Sequence, residues 1–267
     1  MARHAEELSP AAPPPPRRAP VTGAGVLLAV VLVLLAGWLH SSGRWPFTPD
    51  AGPPPVLGTP PPGLGRPVVA VGAGSALAVL ETLPVKGRAP RSNYQRSAFG
   101  EAWLDADANG CDTRNDILRR DLKDLAFTPG SQCLVASGTL AEPYTGREIA
   151  FKRGKDSSEA VQIDHVVALG NAWQTGAQDL TPVQRQSLAN DPLNLLAVDG
   201  PANQDKSDGD AATWLPPSKA VRCHYAARQI SVKAAYRLWV TPKEKEAMQR
   251  VLGKCPEQKS LLSGYLP

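Results

Sequence analysis

The fold of this chain is decided around the stretch Val161-Gln-Ile-Asp-His-Val-Val-Ala-Leu169. Its β-branched residues predict an extended segment from 162 to 167, with His165 on or just after the edge of a strand. Two stretches follow, Asp191-Pro-Leu-Asn-Leu-Leu-Ala-Val198, whose last four residues predict a second strand, and Asn203-Gln-Asp-Lys206. A carboxylate and an amide oxygen can hold a hard divalent cation, and a neutral imidazole beside them can take a proton from water. These stretches therefore predict a metal and a general base in one cleft.

The spacing of these residues resembles that of the HNH endonucleases, also called ββα-metal or His-Me finger nucleases. The resemblance rests on the pair Asp164-His165, on Asn194 followed by two leucines, and on Asn203 nine positions after Asn194. The segments Gly110-Cys-Asp-Thr-Arg-Asn-Asp-Ile-Leu118 and Trp214-Leu-Pro-Pro217 resemble those of exported actinobacterial members. The resemblance implies two strands and a helix, opened by Asn203, that enclose a metal site.

The resemblance also implies a role for each residue. His165 is expected to be the general base, and Asn194 to hold the loop and orient the His165 ring. Asp164 and Asn203 are expected to bind the cation, and an asparagine in place of the last histidine favours Mg²⁺ or Mn²⁺ over Zn²⁺. Lys206 is a candidate for phosphate contact, because three residues after Asn203 it shares a helix face with it.

Structural interpretations stand beside these functional ones. Arg114 is a second candidate for substrate binding, but it can equally brace the active loop or form a surface ion pair with Asp116. His165 can be a histidine at the edge of a core strand. Asn194 and Asn203 lie in contexts where asparagine often serves as a turn residue or a helix cap.

Three other groups of residues receive no functional role. The first group is an alternating acidic sequence that resembles a calcium-binding loop. It lacks the glycine at the sixth position and the closing glutamate of an EF-hand, so a solvated loop is expected. Three acidic residues around Lys206 can form a second cation site, yet they are also ordinary near a helix. Four tryptophans are expected to pack rather than to stack on bases, and only Trp173 merits a test. The groups are Asp105, Asp107, Asn109 and Asp112; Asp205, Asp208 and Asp210; and Trp103, Trp173, Trp214 and Trp239.

Residues 1–69 are not expected to form a hydrophobic core. Residues 1–22 predict a disordered leader, and 23–39 are almost wholly apolar and predict a transmembrane anchor. Arg17 and Arg18 place the N-terminus in the cytoplasm, and a cleaved signal peptide is the alternative. Residues 40–69 form a linker rich in Pro and Gly, and 70–267 the folded domain. The domain is expected outside the cell, tethered to the membrane or secreted.

The chain has four cysteines, an even number that suits an oxidising compartment. Sequence alone leaves their connectivity open. Pairing Cys111 with Cys133 and Cys223 with Cys255 closes loops of moderate length, each stabilising by roughly 3 kcal/mol. Zinc is the competing interpretation, but no pair has the short Cys-x-x-Cys spacing of a structural zinc site.

Hydrophobic periodicity predicts an α+β fold: a disulfide-stabilised, mostly helical domain around an embedded ββα-metal finger. Helices are predicted at 75–83, 114–125, 231–240 and 242–252, and strands at 133–137, 148–151 and 195–198. The segment that begins at Gly170 is predicted to be polar.

The formal net charge of +4 neither supports nor excludes nucleic acid as a partner. The motif therefore decides the predicted function, which is a metal-dependent endonuclease of low sequence specificity. Its predicted substrate is DNA more readily than RNA. No obligate protein partner is evident. A non-catalytic, membrane-tethered extracellular binding module is the alternative. A cell-wall hydrolase would need a zinc-type histidine cluster, which the sequence lacks.

Overall fold

The structure is a computed structural model that describes residues 74–155 and 157–263. Within these residues the fold is α+β, with a two-stranded and a three-stranded antiparallel sheet surrounded by helices. In chain order the helices are α1 Ala76–Thr82, α2 Thr113–Asp121, α3 Leu169–Gln174, α4 Pro182–Asn190, α5 Gly200–Lys206, α6 Arg222–Ala235 and α7 Pro242–Leu252. The strands are β1 Leu122–Phe127, β2 Val135–Ala141, β3 Glu148–Lys152, β4 Val161–His165 and β5 Leu195–Asp199.

Strands β4 and β5 and helix α5 form a ββα unit. The helix begins at Gly200, so Asn203 is its fourth residue and does not open it as the resemblance implied. β4 and β5 pair antiparallel, from Val161 opposite Asp199 to His165 opposite Leu195. Helix α5 follows β5 directly, because the Asp199 carboxylate accepts a hydrogen bond from the Ala202 amide (3.0 Å) and caps the helix. A Cβ on Gly200 would lie 2.1 Å from the Glu159 carbonyl oxygen, so the helix start fits only with glycine there.

The three-stranded sheet packs against this unit through one apolar cluster. Helix α2 contributes Ile117 and Leu118, the sheet contributes Val135 and Phe151, and β4 contributes Ile163. Burial of these side chains supplies the main driving force that holds the two sheets together.

The helical part of the molecule is built around α6. One face of α6 packs with α3 and α4 through Val232 and Ala235, and another packs with α1 and α7 through Ala226 and Ile230. The chain end returns to α1, where the Ala76 amide donates to the Gln258 carbonyl (2.8 Å). Helix α7 begins and ends where the sequence predicted.

Several predicted elements were wrong in extent or kind. The helix predicted at 114–125 ends at Asp121, because Leu122 pairs with Leu140 in β1 and β2. The helix predicted at 231–240 begins earlier, at Arg222, and ends at Ala235. The segment after Gly170 is the buried helix α3 rather than a polar stretch, and α4 was not predicted. Strand pairing ends α2 at Asp121, and burial accounts for α3, where tertiary packing overrides the local pattern. Helix α4 instead carries local signals that the prediction overlooked, Pro182 at its start and the Thr181–Gln184 capping box.

Both expected disulfides are present, Cys111–Cys133 and Cys223–Cys255, which excludes the zinc interpretation of the cysteines. The predicted leader, membrane segment and linker at 1–22, 23–39 and 40–69 lie outside the described residues. Among the helices that the structure does describe, none is both long and apolar enough to cross a membrane.

Candidate active site

A polar cavity of about 230 Å³ lies where β4 ends beside α5. It brings together three of the residues that the motif singled out, Asp164, His165 and Asn203. The rest of its wall includes Arg96, Ile163, Ala168, Leu169, Ser207 and Asp208. Asn194, Lys206 and Arg114 do not line it.

His165 is held in one tautomer by the end of α4. Its Nε2 lies 2.9 Å from the Ala189 carbonyl oxygen. A carbonyl only accepts hydrogen bonds, so Nε2 carries the proton and Nδ1 carries the lone pair. Ala189 is in the last turn of α4, where carbonyls have no partner within the helix. The ring is thus oriented by Ala189, and not by Asn194 as predicted.

Burial keeps the His165 ring neutral. The residue is 8% exposed, and burial, with smaller contributions from the charges of Arg96 and Lys206, lowers its pKa from 6.5 to about 3. The hydrogen bond to Ala189 partly opposes this change. At neutral pH the imidazole is therefore an unprotonated base.

Asn194 holds the chain on both sides of the site. Its Oδ1 accepts from the Val167 amide (2.8 Å), and its Nδ2 donates to the carbonyls of Leu188 (3.1 Å) and Val167 (3.4 Å). The side chain is fully buried. Asn194 therefore ties the segment after β4 to the last turn of α4, consistent with its expected loop-holding position.

Asp164 and Lys206 form a buried ion pair. The Lys206 Nζ lies 2.9 Å from Asp164 Oδ1 and also donates to the His165 carbonyl, while the Tyr144 hydroxyl donates to Asp164 Oδ2 (2.6 Å). Burial raises the pKa of Asp164, and the Lys206 charge partly offsets this. The Lys206 side chain is 0% exposed. Its ammonium group binds Asp164 and the His165 carbonyl of β4 and does not line the cavity, so it is not placed for the predicted phosphate contact.

The oxygen donors of the cavity suit a hard cation. Asn203 Nδ2 donates to Gln162 Oε1 (2.8 Å), and its own Oδ1 accepts no hydrogen bond from the described residues. Asp164 Oδ1 accepts a hydrogen bond from Lys206 and Oδ2 accepts one from Tyr144, and the His165 backbone also hydrogen-bonds to this carboxylate. Within 74–155 and 157–263, no group of three His, Cys, Asp or Glu side chains is placed to hold a metal. Carboxylate and amide oxygens are the donors that a hard ion such as Mg²⁺ accepts while it keeps several waters.

Arg114 lies away from the polar cavity. Its guanidinium donates to the Val161 carbonyl (3.4 Å) and sits 6.0 Å from the centre of the Trp103 ring. Burial lowers its pKa. This position matches the bracing interpretation of Arg114 rather than direct substrate contact.

The structure also places at the cavity Arg96, which sequence reasoning missed, and Asp208, to which it gave no functional role. Arg96, on a short 3-10 helix, is exposed and lines the polar cavity. Asp208 lines it too and pairs with Arg91 (2.7 Å). A Cβ on Gly170 would lie 2.5 Å from Asp208 Oδ2, so that carboxylate packs directly on α3. Nothing in the sequence signals Arg96, because it lies far from the motif along the chain.

Comparisons with known proteins agree with a nuclease-type domain. A family model described as "GmrSD restriction endonucleases, C-terminal domain" matches residues 112–251, which include β4, β5 and α5. The chain is also 38% identical over 185 residues to an "Uncharacterized secreted protein" of Arthroderma benhamiae. That match covers 68% of this chain and 86% of the fungal protein. No solved structure matches significantly.

Proposed function

This chain belongs to the family of GmrSD restriction endonuclease C-terminal domains, and on that premise we propose that it is an HNH-type, metal-dependent endonuclease. The observation that carries the proposal is the state of His165. Its Nε2 proton is committed to Ala189, its Nδ1 has no hydrogen-bond partner among the described residues, and the residue lines the polar cavity with Asp164 and Asn203. A neutral imidazole with a free Nδ1 at the wall of a polar cavity is suited to general-base catalysis.

The proposed reaction is hydrolysis of a phosphodiester bond. His165 Nδ1 takes a proton from a water molecule, the resulting hydroxide attacks phosphorus, the bond from phosphorus to the 3′ oxygen breaks, and the departing 3′ oxygen takes up a proton from solvent water. Asp164 and Asn203 would hold the divalent ion, which when bound supplies Lewis-acid stabilisation of the developing charge. Arg96, the cation in the cavity wall, takes the phosphate-binding role first assigned to Lys206. Lys206 instead fixes Asp164 in position.

We further propose that the substrate is DNA more readily than RNA, with low sequence specificity, and that the enzyme acts outside the cell. The fungal relative is named as secreted, and the two disulfides suit an oxidising compartment. A tether through residues 23–39 stays a prediction.

The decisive experiment is a cleavage assay on the purified full-length chain. Plasmid, single-stranded DNA and RNA are incubated with Mg²⁺, Mn²⁺, Zn²⁺ or chelator. Cleavage is expected with Mg²⁺ or Mn²⁺ and not with chelator. Replacing His165 with Ala should lower the rate roughly 10²–10⁴-fold. His224→Ala is the matched control, because His224 is exposed and lines neither the polar cavity nor its neighbour. Equal cleavage by both variants would reject the assigned base.

One observation favours a second candidate, a non-catalytic binding module. Asp164 already has a cationic partner in Lys206, so the cavity can exist without a bound metal. Titration calorimetry with Mn²⁺ separates the two candidates. Binding that is lost in Asn203→Ala supports the metal site, whereas no binding and no cleavage support the module.

A further inference from the structure

An apolar cleft of about 240 Å³ adjoins the polar cavity on the other side of His165. His165, Arg96 and Leu169 line both spaces. The apolar wall consists of Phe99, Ala102, Trp103, Leu169 and Ala189. Groups that occupy the two spaces would therefore both contact His165, Arg96 and Leu169.

Trp103 gives this cleft its aromatic wall. Its ring is nearly parallel to the His165 ring, with an interplanar angle of 21° and centroids 6.4 Å apart. The residue is half-buried and has a φ of 60°. A bulky side chain in the left-handed region is an outlier that costs free energy, and such outliers concentrate at functional sites. Packing against the apolar cluster that contains Ile163, and the nearby Arg114 guanidinium, hold the ring in this place.

We propose that this cleft binds one nucleobase of the nucleic acid strand whose phosphate enters the polar cavity, an inference that rests on the proposed function. The base packs on the Trp103 ring, because stacking on an aromatic face is the general way in which proteins hold an unpaired base. Arg96, at the boundary of the two spaces, is placed to contact the adjoining phosphate. Glu101 and Asn190 supply the polar groups at the edge of the cleft.

Two features identify the occupant as a base rather than another apolar group. The cleft shares Arg96, His165 and Leu169 with the cavity proposed for the phosphodiester, so a base attached to the bound strand is the group nearest to it. Its volume also lies below the range of pockets for drug-sized ligands, which suits a single planar ring system.

A base in this cleft cannot remain stacked in a duplex. Extruding a paired base costs free energy, and that cost is smallest for unpaired or mismatched nucleotides. The enzyme should therefore cleave single-stranded or locally unpaired nucleic acid faster than a regular duplex. Because every base has a flat aromatic face, the sequence preference should be weak.

The test uses the full-length protein, Mg²⁺ or Mn²⁺, and an end-labelled single-stranded DNA that carries one abasic nucleotide. Cleavage is mapped at every bond and compared with the same bond in the intact strand. Bonds next to the abasic nucleotide should be cut roughly tenfold more slowly by the wild-type protein. Trp103→Ala should cut the intact strand about as slowly and show no further decrease, whereas Trp103→Phe keeps an aromatic face and should retain the discrimination.

Trp239→Ala is the matched control, because Trp239 is half-buried and lines neither space. It should discriminate like the wild type. Cleavage that is equally fast beside the abasic nucleotide would overturn the base site while the proposed function stands. Absence of cleavage on every substrate would overturn both. If Trp103→Ala fails to fold, the comparison of abasic and intact strands with the wild-type protein still tests the proposal.

Discussion

At the scale of single residues, the protonation state of His165 is set by residues that are distant from it in the sequence. The ring is adjacent to Asp164 in sequence, yet its protonation state depends on Ala189 and Arg96, which come from two other elements. Burial disfavours the imidazolium, and the helix carbonyl fixes the tautomer.

The lowered pKa of His165 makes stability depend on pH. Its pKa is about 3 in the folded protein and near 6.5 when unfolded, so the unfolded state binds more protons between these values. The free energy of unfolding should therefore fall as pH decreases through 6.5 and level off near pH 3, by several kcal/mol at about 1.4 kcal/mol per pKa unit. Urea unfolding in chelator from pH 8 to 3 measures it.

His165→Gln isolates this contribution, because glutamine keeps a donor for Ala189 but does not titrate. The difference in unfolding free energy between wild type and variant should change with pH in the direction stated. Asp164, whose raised pKa acts in the opposite direction, is present in both proteins and cancels. A difference that is constant with pH would contradict the assigned state of His165.

The ion pair between Asp164 and Lys206 should be strongly coupled. Lys206→Met leaves the Asp164 charge buried without its cation, and a loss of about 3–5 kcal/mol is expected. In a double-mutant cycle, adding Asp164→Asn should recover part of the loss. Lys245→Met is the control, because Lys245 pairs with the exposed Glu81 at a similar distance (2.8 Å against 2.9 Å) and should cost less than about 1 kcal/mol. Equal losses would refute the role of burial.

At the scale of elements, the site is assembled by the end of α4 and the start of α5. The last turn of α4 presents two carbonyls, Leu188 to Asn194 and Ala189 to His165. The start of α5 lies against the carbonyl of Glu159, which only glycine at 200 permits. Rearranging either helix end should move the general base or Asn203.

Gly200→Ala tests the second of these contacts. The added Cβ would lie 2.1 Å from a backbone oxygen, so α5 must shift, and a destabilisation of roughly 1–3 kcal/mol with reduced cleavage is expected. Gly87→Ala is the control, because nothing lies within 4 Å of its added Cβ. Thermal unfolding and the cleavage rate are measured together. Unchanged activity in Gly200→Ala would show that the position of α5 does not matter.

At the scale of the whole molecule, two disulfides link parts of the chain that are 22 and 32 residues apart. Cys223–Cys255 joins the start of α6 to the segment after α7, and neither cysteine lines the polar cavity or the apolar cleft. The bond therefore stabilises the helical part without entering the site.

Removing this disulfide should lower stability but spare activity. The Cys223→Ser, Cys255→Ser double variant is expected to lose about 3 kcal/mol of unfolding free energy, mainly because its unfolded chain is less constrained. Urea unfolding measures the loss, and cleavage at low temperature measures activity. Under reducing conditions, which also open Cys111–Cys133 in both proteins, the wild type and the variant should have the same stability. A folded variant without activity would contradict the separation of the disulfide from the site.

Local β-branched patterns predicted the two strands of the ββα unit, and the family resemblance implied their helix, which begins at Gly200 and not at Asn203. The prediction failed at α3, which is buried against α6, and it overlooked Pro182 and the Thr181–Gln184 capping box at the start of α4. It also read 114–125 as one helix, since the change from helix to strand at Leu122 is imposed by pairing with β2.

The sequence by itself determined the α+β class, the pairing of the ββα strands, and the gathering of Asp164, His165 and Asn203 at one cavity. Only the tertiary structure decided that Lys206 is buried, that Ala189 orients the base, and that Arg96 and Trp103 border the site. The physical reason is range. Strand pairing and helix capping act between near neighbours in the chain, whereas burial, charge pairing and cavity walls depend on elements that meet only after the chain has folded.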